Sequence, residues 1–407
     1  MSGVSKNDPR PHRPPSARPV RPLLGVALIL LVIVVGLEGS LRLFSLVRPA
    51  RYFHYLTAPW VVYDNPHWEV WHPPSARADY VKACLRVTYT SNAWGMRDKP
   101  RTLEKQTFRV AVLGDSMTEG HGVNDVEVFT RLLEDEHFRG EVQFLNFGVQ
   151  GSGTIQAWQL YRHLARRFRP DLVLVMFFHD NDLVDISWWY WERYAPDRRR
   201  PYLRPAAGGH VLFYPPVPLG SGTGGSRERL LRLKNRVATF SYLVRYLDEV
   251  RLTLSMRRLT QGEMDETNVY RVSPTPLWEQ SWQVTAEAVR RLHQEVKADG
   301  ARLVVVQLPG WQGMDPRADA AVASRPGFDP LYPERRLARI VASLDGARFF
   351  SLSQPFASFR DANGLRPPYF SYRCDGHWSP LGHRVAAAVL ADFLLRSGLL
   401  PTLSGGR

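Results

Sequence analysis

Ser116 lies in the stretch Gly-Asp-Ser-Met-Thr-Glu-Gly, directly after a short apolar run, and Asp375 and His377 lie two residues apart near the end of the chain. A serine hydroxyl becomes an effective nucleophile when a histidine accepts its proton, and a carboxylate can hold that histidine in the required tautomer. We therefore expect acyl chemistry with Ser116 as the nucleophile, His377 as the base and Asp375 as the residue that orients it. The competing interpretation is that these residues cap or pack against neighbouring helices.

The same chemistry needs donors for the oxyanion that forms when the serine attacks a carbonyl carbon. The backbone N–H of Ser116 can supply one donor, because the residue lies between a predicted strand and a predicted helix. Gly151 offers a second N–H with no Cβ to obstruct a substrate, and Gly148 is the alternative. Asn181 offers a side-chain amide, although asparagine also favours turns at strand ends. The predicted oxyanion hole consists of Ser116, Gly151 and Asn181.

Five apolar runs predict strands that would place these residues at one rim of a sheet. The runs cover 108–114, 141–148, 171–178, 303–309 and 347–352. Helical spacing of apolar residues occurs at 126–136, 154–168, 227–258, 277–298 and 383–398. Strands that are apolar throughout and alternate with helices are typical of a parallel sheet covered on both faces. Ligands bind beyond the carboxyl ends of such strands, so the polar residues that follow them should meet there.

Four stretches, GDSMTEG, NFGVQGSGT, FFHDND and DGHWSPLGH, resemble the four blocks of the SGNH (GDSL-type) hydrolases, in the family's order. The resemblance covers about 108–398 and implies a flavodoxin-like α/β/α sandwich with a mostly parallel sheet. The family's named residues match Ser116, Gly151, Asn181, Asp375 and His377.

The last block departs from the common family pattern, because one residue rather than two separates its Asp and His. This spacing is similar to that of bacterial SGNH proteins that modify exopolysaccharides. Thr118 replaces the last glycine of a Gly-x-Ser-x-Gly elbow, which disfavours an α/β-hydrolase. YTSNAWGMRD, at 89–98, resembles a segment that precedes the first block in membrane-anchored members.

The composition is that of a globular protein, since 44% of the 407 residues are hydrophobic and 23% are charged. The formal charge of +14 comes from arginines spread over several stretches. Because no nucleic-acid-binding motif is present, we expect no nucleic-acid partner and favour attraction to anionic headgroups or acidic polysaccharide. Cys84 and Cys374 are too few for a disulfide scaffold, and they either pair or remain reduced.

A metal site is the alternative interpretation of the polar residues at the predicted rim. Its ligands would be His179, Asp180, Asp182 and His377. Their spacing fits no compact helix-based zinc motif, and a metal would leave Ser116 without a role. We therefore expect neither a metal nor a cofactor.

The start of the chain predicts a membrane anchor. A basic, proline-rich tail over 1–21 precedes an uncharged apolar run at 23–37, which extends to a predicted span of 22–44. A cleaved signal peptide is the competing interpretation, but no clean small-residue cleavage site follows the run. A buried core helix would leave the basic flank unexplained. The basic flank should stay in the cytoplasm, so we expect a single pass through the inner (cytoplasmic) membrane and a periplasmic or other extracytoplasmic catalytic domain.

We expect a segment over 45–105 that packs on a catalytic domain over 106–400, with a helical and aromatic insertion at about 185–300. The aromatic cluster at 188–194 could stack on sugars, lie at the lipid headgroups or pack within the insertion. For the arginines at 198–204 we favour a solvated loop over a carboxylate clamp.

Together these features predict a membrane-anchored serine esterase acting on an acyl ester, such as an O-acetyl or other short acyl group on a carbohydrate or envelope component. An acyl-enzyme would form on Ser116, and water would release the acid. The alternative in the same fold is a carbohydrate O-acyltransferase, in which a sugar hydroxyl replaces the water. An alternative of another class is a non-catalytic module that binds envelope components or polysaccharide; the intact Ser, Asp and His argue against it.

Overall fold

The computed structural model describes residues 20–47, 55–56, 58, 60–82, 84–194, 200–206, 208, 210–216, 233, 237, 241–244, 246–247, 250, 254, 265–310 and 314–402. The predicted basic tail lies outside these residues except for its last two positions. Helix α1, Val20–Val47, contains the 20-residue stretch Gly25–Phe44, which has a mean hydropathy of 2.3 and is not buried. By length and composition this helix is able to cross a membrane.

Five short strands follow α1. They are β1 (Tyr55–Leu56), β2 (Val62–Asn65), β3 (Glu69–Trp71), β4 (Arg77–Lys82) and β5 (Leu85–Thr90). β1, β4 and β5 form an antiparallel sheet, and β2 pairs with β3. The sequence did not predict these strands, because they are short and have no continuous apolar run.

The central sheet contains five parallel strands in the order β12-β11-β8-β6-β7, and a separate hairpin pairs β9 with β10. The strands are β6 (Phe108–Gly114), β7 (Val142–Gly148), β8 (Leu172–Phe177), β9 (Tyr202–Pro205), β10 (Val211–Tyr214), β11 (Arg302–Gln307) and β12 (Arg348–Ser351). The prediction of a parallel sheet is confirmed. From β6 the chain passes to β7 on one side and then to β8 on the other. The end of β6 is therefore the switch point, where open α/β sheets bind their ligands.

Helices cover both faces of this sheet. They are α2 (Ser116–Glu119), α3 (Phe129–Leu132), α4 (Thr154–His163), α5 (His179–Asp185), α6 (Trp188–Tyr194), α7 (Pro276–Ala298), α8 (Pro316–Ala323), α9 (Tyr332–Ala342), α10 (Ser353–Ala362) and α11 (Pro380–Arg396). Ala111 and Leu113 of β6 pack in one hydrophobic cluster with α4, α7 and α9. Val110 and Val112 pack in a second cluster with α3, α10 and α11. Successive β6 side chains point to opposite faces of the sheet, and each face packs against its own set of helices. The predicted α/β/α sandwich is therefore confirmed.

Several helices differ from the prediction at their ends or in their geometry. The run predicted as a helix at 126–136 overlaps a 3-10 turn at Asp125–Glu127, α3 and a π-helical turn at Leu133–His137. Apolar spacing does not distinguish these closely related geometries. α11 begins at Pro380, three residues before the predicted start, because proline is favourable in a first helical turn. The helix predicted at 227–258 lies mainly outside the described residues.

Candidate active site

The turn after β6 presents Ser116 at the switch point of the sheet. Asp115 is the N-cap of α2, and its Oδ1 accepts a hydrogen bond from the backbone N–H of Met117 at 2.9 Å. Ser116 is thus the first helical residue rather than the cap, and its hydroxyl is not used to hold the helix. A Cβ at Gly114 would lie 2.1 Å from Oγ1 of Thr118, so the close approach of strand and helix requires glycine there.

The loop before α11 brings a histidine to this serine. Oγ of Ser116 and Nε2 of His377 are 2.8 Å apart. Nδ1 of His377 hydrogen-bonds Oδ1 of Asp375, and the backbone N–H of His377 donates to the same oxygen at 3.0 Å. A carboxylate that accepts the N–H two residues later forms an Asx turn, which suits the one-residue spacing. The three predicted residues form one hydrogen-bonded chain.

The electrostatic environment favours an ionised Asp375. Burial opposes its charge, but the hydrogen bond and positive charge of His377 and the hydrogen bond from Lys82 outweigh burial and hold the pKa of Asp375 well below its usual value. A second histidine, His121, lies with its ring centroid 4.4 Å from that of His377. Burial, reinforced by the charge of His377, lowers the pKa of His121 to about 3. His121 is therefore neutral at neutral pH.

Two further stretches reach the neighbourhood of Ser116. Nδ2 of Asn181, in α5, donates to Oδ2 of Asp115 at 2.9 Å. The loop after β7 is tied to the end of β6, because Oγ of Ser152 donates to the carbonyl of Gly114 at 2.9 Å. Gly151 lies in this loop with a φ of 68°, a left-handed conformation that favours glycine.

Gly148, the alternative donor, is instead packed against α2. A Cβ at this position would lie 2.2 Å from the backbone N of Glu119 and 2.5 Å from the carbonyl carbon of Thr118. Its lack of a side chain is thus explained by the contact between β7 and α2, whereas that contact does not involve Gly151.

Comparisons with known proteins find a family model and solved structures that are similar to this chain. A family model described as "SGNH hydrolase-like domain, acetyltransferase AlgX" matches residues 270–405, which include Asp375 and His377. Over these residues the chain is similar to the SGNH hydrolase-like proteins. A sequence comparison with curated proteins finds no match.

The solved structures that are similar to this chain have low sequence identity to it. BT4096, a gut microbial diltiazem-metabolizing enzyme, is 12% identical over 71% of this chain and 47% of its own, with a TM-score of 0.36. A putative lipolytic protein of the G-D-S-L family from Desulfitobacterium hafniense is 9% identical over 70% of this chain and 99% of its own, with a TM-score of 0.36. A mutant of Axe2, an acetylxylan esterase from Geobacillus stearothermophilus, is 14% identical over 74% of this chain and 100% of its own, with a TM-score of 0.35. This chain thus spans about half of the first of these proteins.

The segment before β6 contributes to the site, which the sequence did not predict. Nζ of Lys82, at the end of β4, lies 2.7 Å from Oδ2 of Asp375. Cys84 and Cys374 form a disulfide with a Cα–Cα distance of 5.8 Å, so the pairing that the sequence left open is present. Cys374 directly precedes Asp375, and this adjacency is the one sequence signal that connects the segment to the site.

Arg97, in the stretch YTSNAWGMRD, supports the chain that follows α2. Its guanidinium donates to the carbonyls of Glu119 at 3.2 Å and Val123 at 2.5 Å, and it pairs with Asp125 at 2.9 Å. It also lies over the ring of Tyr89, 4.1 Å from the centroid. The stretch therefore holds the backbone after Ser116 in place.

The four residues of the metal alternative do not form one group in the part of the chain that the structure describes. Nε2 of His179 lies 3.0 Å from the hydroxyl of Tyr270, and Oδ2 of Asp182 accepts the N–H of Phe178 at 2.8 Å. His377 is directed to Ser116 instead. These contacts are those of side chains satisfied within the protein.

The aromatic cluster packs in the core. Trp189, Tyr190 and Trp191 are buried, which favours packing over sugar stacking or headgroup contact. The prediction of a solvated arginine loop is wrong for Arg200, which is 1% exposed and pairs with Asp185 at 3.1 Å. Its Nη2 donates to the carbonyl of Gly151, so this arginine holds the loop after β7. Positions 198 and 199 lie outside the described residues.

Proposed function

We propose that this protein is a serine ester hydrolase in which Ser116, His377 and Asp375 act as nucleophile, base and orienting carboxylate. The observation that carries the proposal is the continuous contact from Oγ of Ser116 to Nε2 of His377 and from Nδ1 of His377 to Asp375. Residues 261 positions apart in the chain converge in this way at the switch point of the sheet.

The reaction follows from this geometry. Oγ of Ser116 attacks the carbonyl carbon of an acyl ester while Nε2 of His377 takes its proton. The tetrahedral intermediate collapses, its C–O bond to the alcohol breaks, and His377 returns the proton to that alcohol. Water then attacks the acyl-enzyme, again losing a proton to His377, and the acid leaves as Ser116 is restored. Asp375 stabilises the imidazolium formed in each half-reaction.

The oxyanion would be held by the backbone N–H groups of Ser116 and Gly151 and by the side-chain amide of Asn181. Nδ2 of Asn181 carries two hydrogens, and Asp115 accepts only one of them. The contact from Asp115 thus orients the amide for a second donation. Support for Gly151 over Gly148 comes from the close packing of Gly148 on α2.

Hydrolysis of p-nitrophenyl acetate by the purified chain tests the proposal. We expect turnover by the native protein and a loss of at least about 10³-fold in kcat for Ser116→Ala and His377→Ala. Ser343→Ala is a matched control, because its exposed hydroxyl bonds the carbonyl of Ile340 in α9 and takes no part in the site. No turnover by the native protein would favour the non-catalytic binding module.

O-acyl transfer to a carbohydrate is the second candidate, and the match of an acetyltransferase family model over residues 270–405 favours it. The acyl-enzyme is the same, but a sugar hydroxyl takes the place of water in the second half-reaction. An assay with an acetyl donor and an oligosaccharide acceptor separates the two functions. Acetylated oligosaccharide formed faster than free acetate would establish the transferase, and acetate release unaffected by acceptor would establish the esterase.

We also propose that α1 is an uncleaved anchor that leaves the catalytic domain outside the cytoplasm. The basic residues of the tail favour a cytoplasmic N-terminus, and the disulfide between Cys84 and Cys374 suits an oxidising compartment. Glu38, within the apolar stretch, accepts hydrogen bonds from Oγ of Ser241 at 2.9 Å and the N–H of Tyr242 at 3.0 Å. A carboxylate so close to the hydrocarbon region needs such partners.

Fusion of alkaline phosphatase to the C-terminus tests this topology, because alkaline phosphatase is active only after it has been exported from the cytoplasm. We expect an active, membrane-bound fusion. An inactive fusion would contradict the topology, and active fusion protein released in soluble form would indicate that α1 is cleaved.

A further inference from the structure

Asp375 has a second charged partner besides His377. Oδ1 faces His377, whereas Oδ2 lies 2.7 Å from Nζ of Lys82. The Asp375 side chain is 5% exposed and that of Lys82 is 17% exposed, so water has little access to the pair. Without Lys82, Oδ2 of Asp375 would be a buried carboxylate oxygen with no hydrogen-bond donor among the residues that the structure describes.

A covalent bridge lies close to both Lys82 and Asp375 in the chain. Lys82 ends β4 and is opposite Leu85, the first residue of β5, so it lies at the turn of this hairpin. Cys84 lies in the turn and is bonded to Cys374, the residue before Asp375. The bridge therefore lies two residues from Lys82 and one from Asp375. Cys84 is exposed, so a soluble reductant can reach it.

We propose that Lys82 is a positioning residue for the proposed reaction, held on Asp375 by the Cys84–Cys374 bridge, and that opening this bridge lowers activity through the loss of that contact. The inference rests on the proposed function. Lys82 occupies Oδ2 so that Oδ1 remains directed at Nδ1 of His377. It also keeps Asp375 charged, which the imidazolium in each half-reaction requires.

Replacing Lys82 with methionine should lower kcat about 10- to 100-fold, the range expected when a reacting group is misplaced by up to about 1 Å. The acidic limb of the pH profile of kcat/KM should also move to higher pH, because removal of a cation makes protonation of the Asp–His pair easier. A merely structural lysine would not move this limb. The charged or titratable groups that surround the pair are Lys82, His121, Tyr372, Asp115 and His383.

Matched variants separate charge from folding. Lys82→Arg keeps the charge and should retain most of the activity with the native acidic limb. Arg86→Met removes an exposed cation from the same hairpin and should leave both quantities unchanged. Dithiothreitol, which supplies two electrons and two protons to convert the bridge into two thiols, should lower kcat of the native chain and have little further effect on Lys82→Met.

The rate at which a fluorophosphonate labels Ser116 gives a readout that is independent of any substrate. Absence of labelling in the native protein would contradict the proposed function itself. Labelling of the native chain together with an unchanged rate and pH profile in Lys82→Met would overturn only the role of Lys82. Equal slowing of the native chain and Lys82→Met by dithiothreitol would overturn the connection between bridge and lysine.

Discussion

Replacement of Glu119 with glutamine tests how the segment before β6 secures the helix that carries Ser116. The Glu119 side chain is fully buried, and its Oε1 accepts from Nε1 of Trp60 at 2.5 Å while Oε2 accepts the N–H of Gln150 at 2.7 Å. Nε2 of His72 lies 3.4 Å from Oε1. Burial alone would raise the pKa of Glu119, but the nearby charge of His72 and the hydrogen bond from Trp60 lower it to about 2.

The size of the effect follows from this shift. A fall in the pKa of Glu119 from the usual 4.5 to about 2 corresponds to about 3 kcal/mol of folding free energy at pH 7. Because the pKa is lower in the folded state, this stability is present above pH 4.5 and is lost as the pH falls towards 2. Glutamine cannot ionise, and its single oxygen can accept only one of the two N–H groups, so we expect a loss of about 3 kcal/mol at pH 7.

Thermal unfolding of the full chain in detergent, followed by tryptophan fluorescence, measures this loss. At about 2 °C per kcal/mol for a domain of this size, Glu119→Gln should lower Tm by about 6 °C at pH 7. The difference in free energy of unfolding between the native chain and Glu119→Gln should be about 1 kcal/mol smaller at pH 3.5 than at pH 7, because the native chain has then lost part of the stability that ionised Glu119 provides. Exposed Glu136→Gln is the control. An unchanged Tm in Glu119→Gln, or a stability difference from the native chain that is the same at both pH values, would refute the reasoning.

Three further variants probe the site. Arg200→Lys keeps the charge but loses the guanidinium group that holds the carbonyl of Gly151 and pairs with Asp185. We therefore expect esterase kcat to fall about 10-fold. A native kcat would show that Arg200 does not position the loop after β7. Gly148→Ala places a Cβ 2.2 Å from a backbone nitrogen and should destabilise the fold by about 1–3 kcal/mol, which a native Tm would contradict. Asp375→Asn should lower kcat by about 10⁴-fold, and near-native kcat would remove its orienting role.

The central sheet was predictable because its strands are buried on both faces. An apolar run such as that at Phe108–Gly114 can be recognised as a buried strand from the local sequence, without knowing which strands lie beside it. Polar residues after these runs were predictable as a group, since parallel strands end at one rim. The contact between Ser116 and His377 follows from that rule together with the family resemblance.

The contribution of the segment before β6 was not predictable from local pattern. β4 and β5 are short, with partly exposed faces, and Lys82 meets Asp375 across 293 positions of the chain. No local periodicity encodes such a contact. Arg200 was misjudged for the same reason, because its carboxylate partners, Glu69 and Asp185, come from distant stretches. A charged residue is assigned to solvent until its partners are known.

The most direct test of the central claim is to map the site of fluorophosphonate labelling by peptide mass spectrometry in the native chain, Ser116→Ala and His377→Ala. Covalent modification should appear on Ser116 alone in the native chain, vanish in Ser116→Ala, and slow by about 10³-fold or more in His377→Ala. Modification of a different residue, or a labelling rate that does not depend on His377, would contradict the assignment of Ser116 and His377 as nucleophile and base.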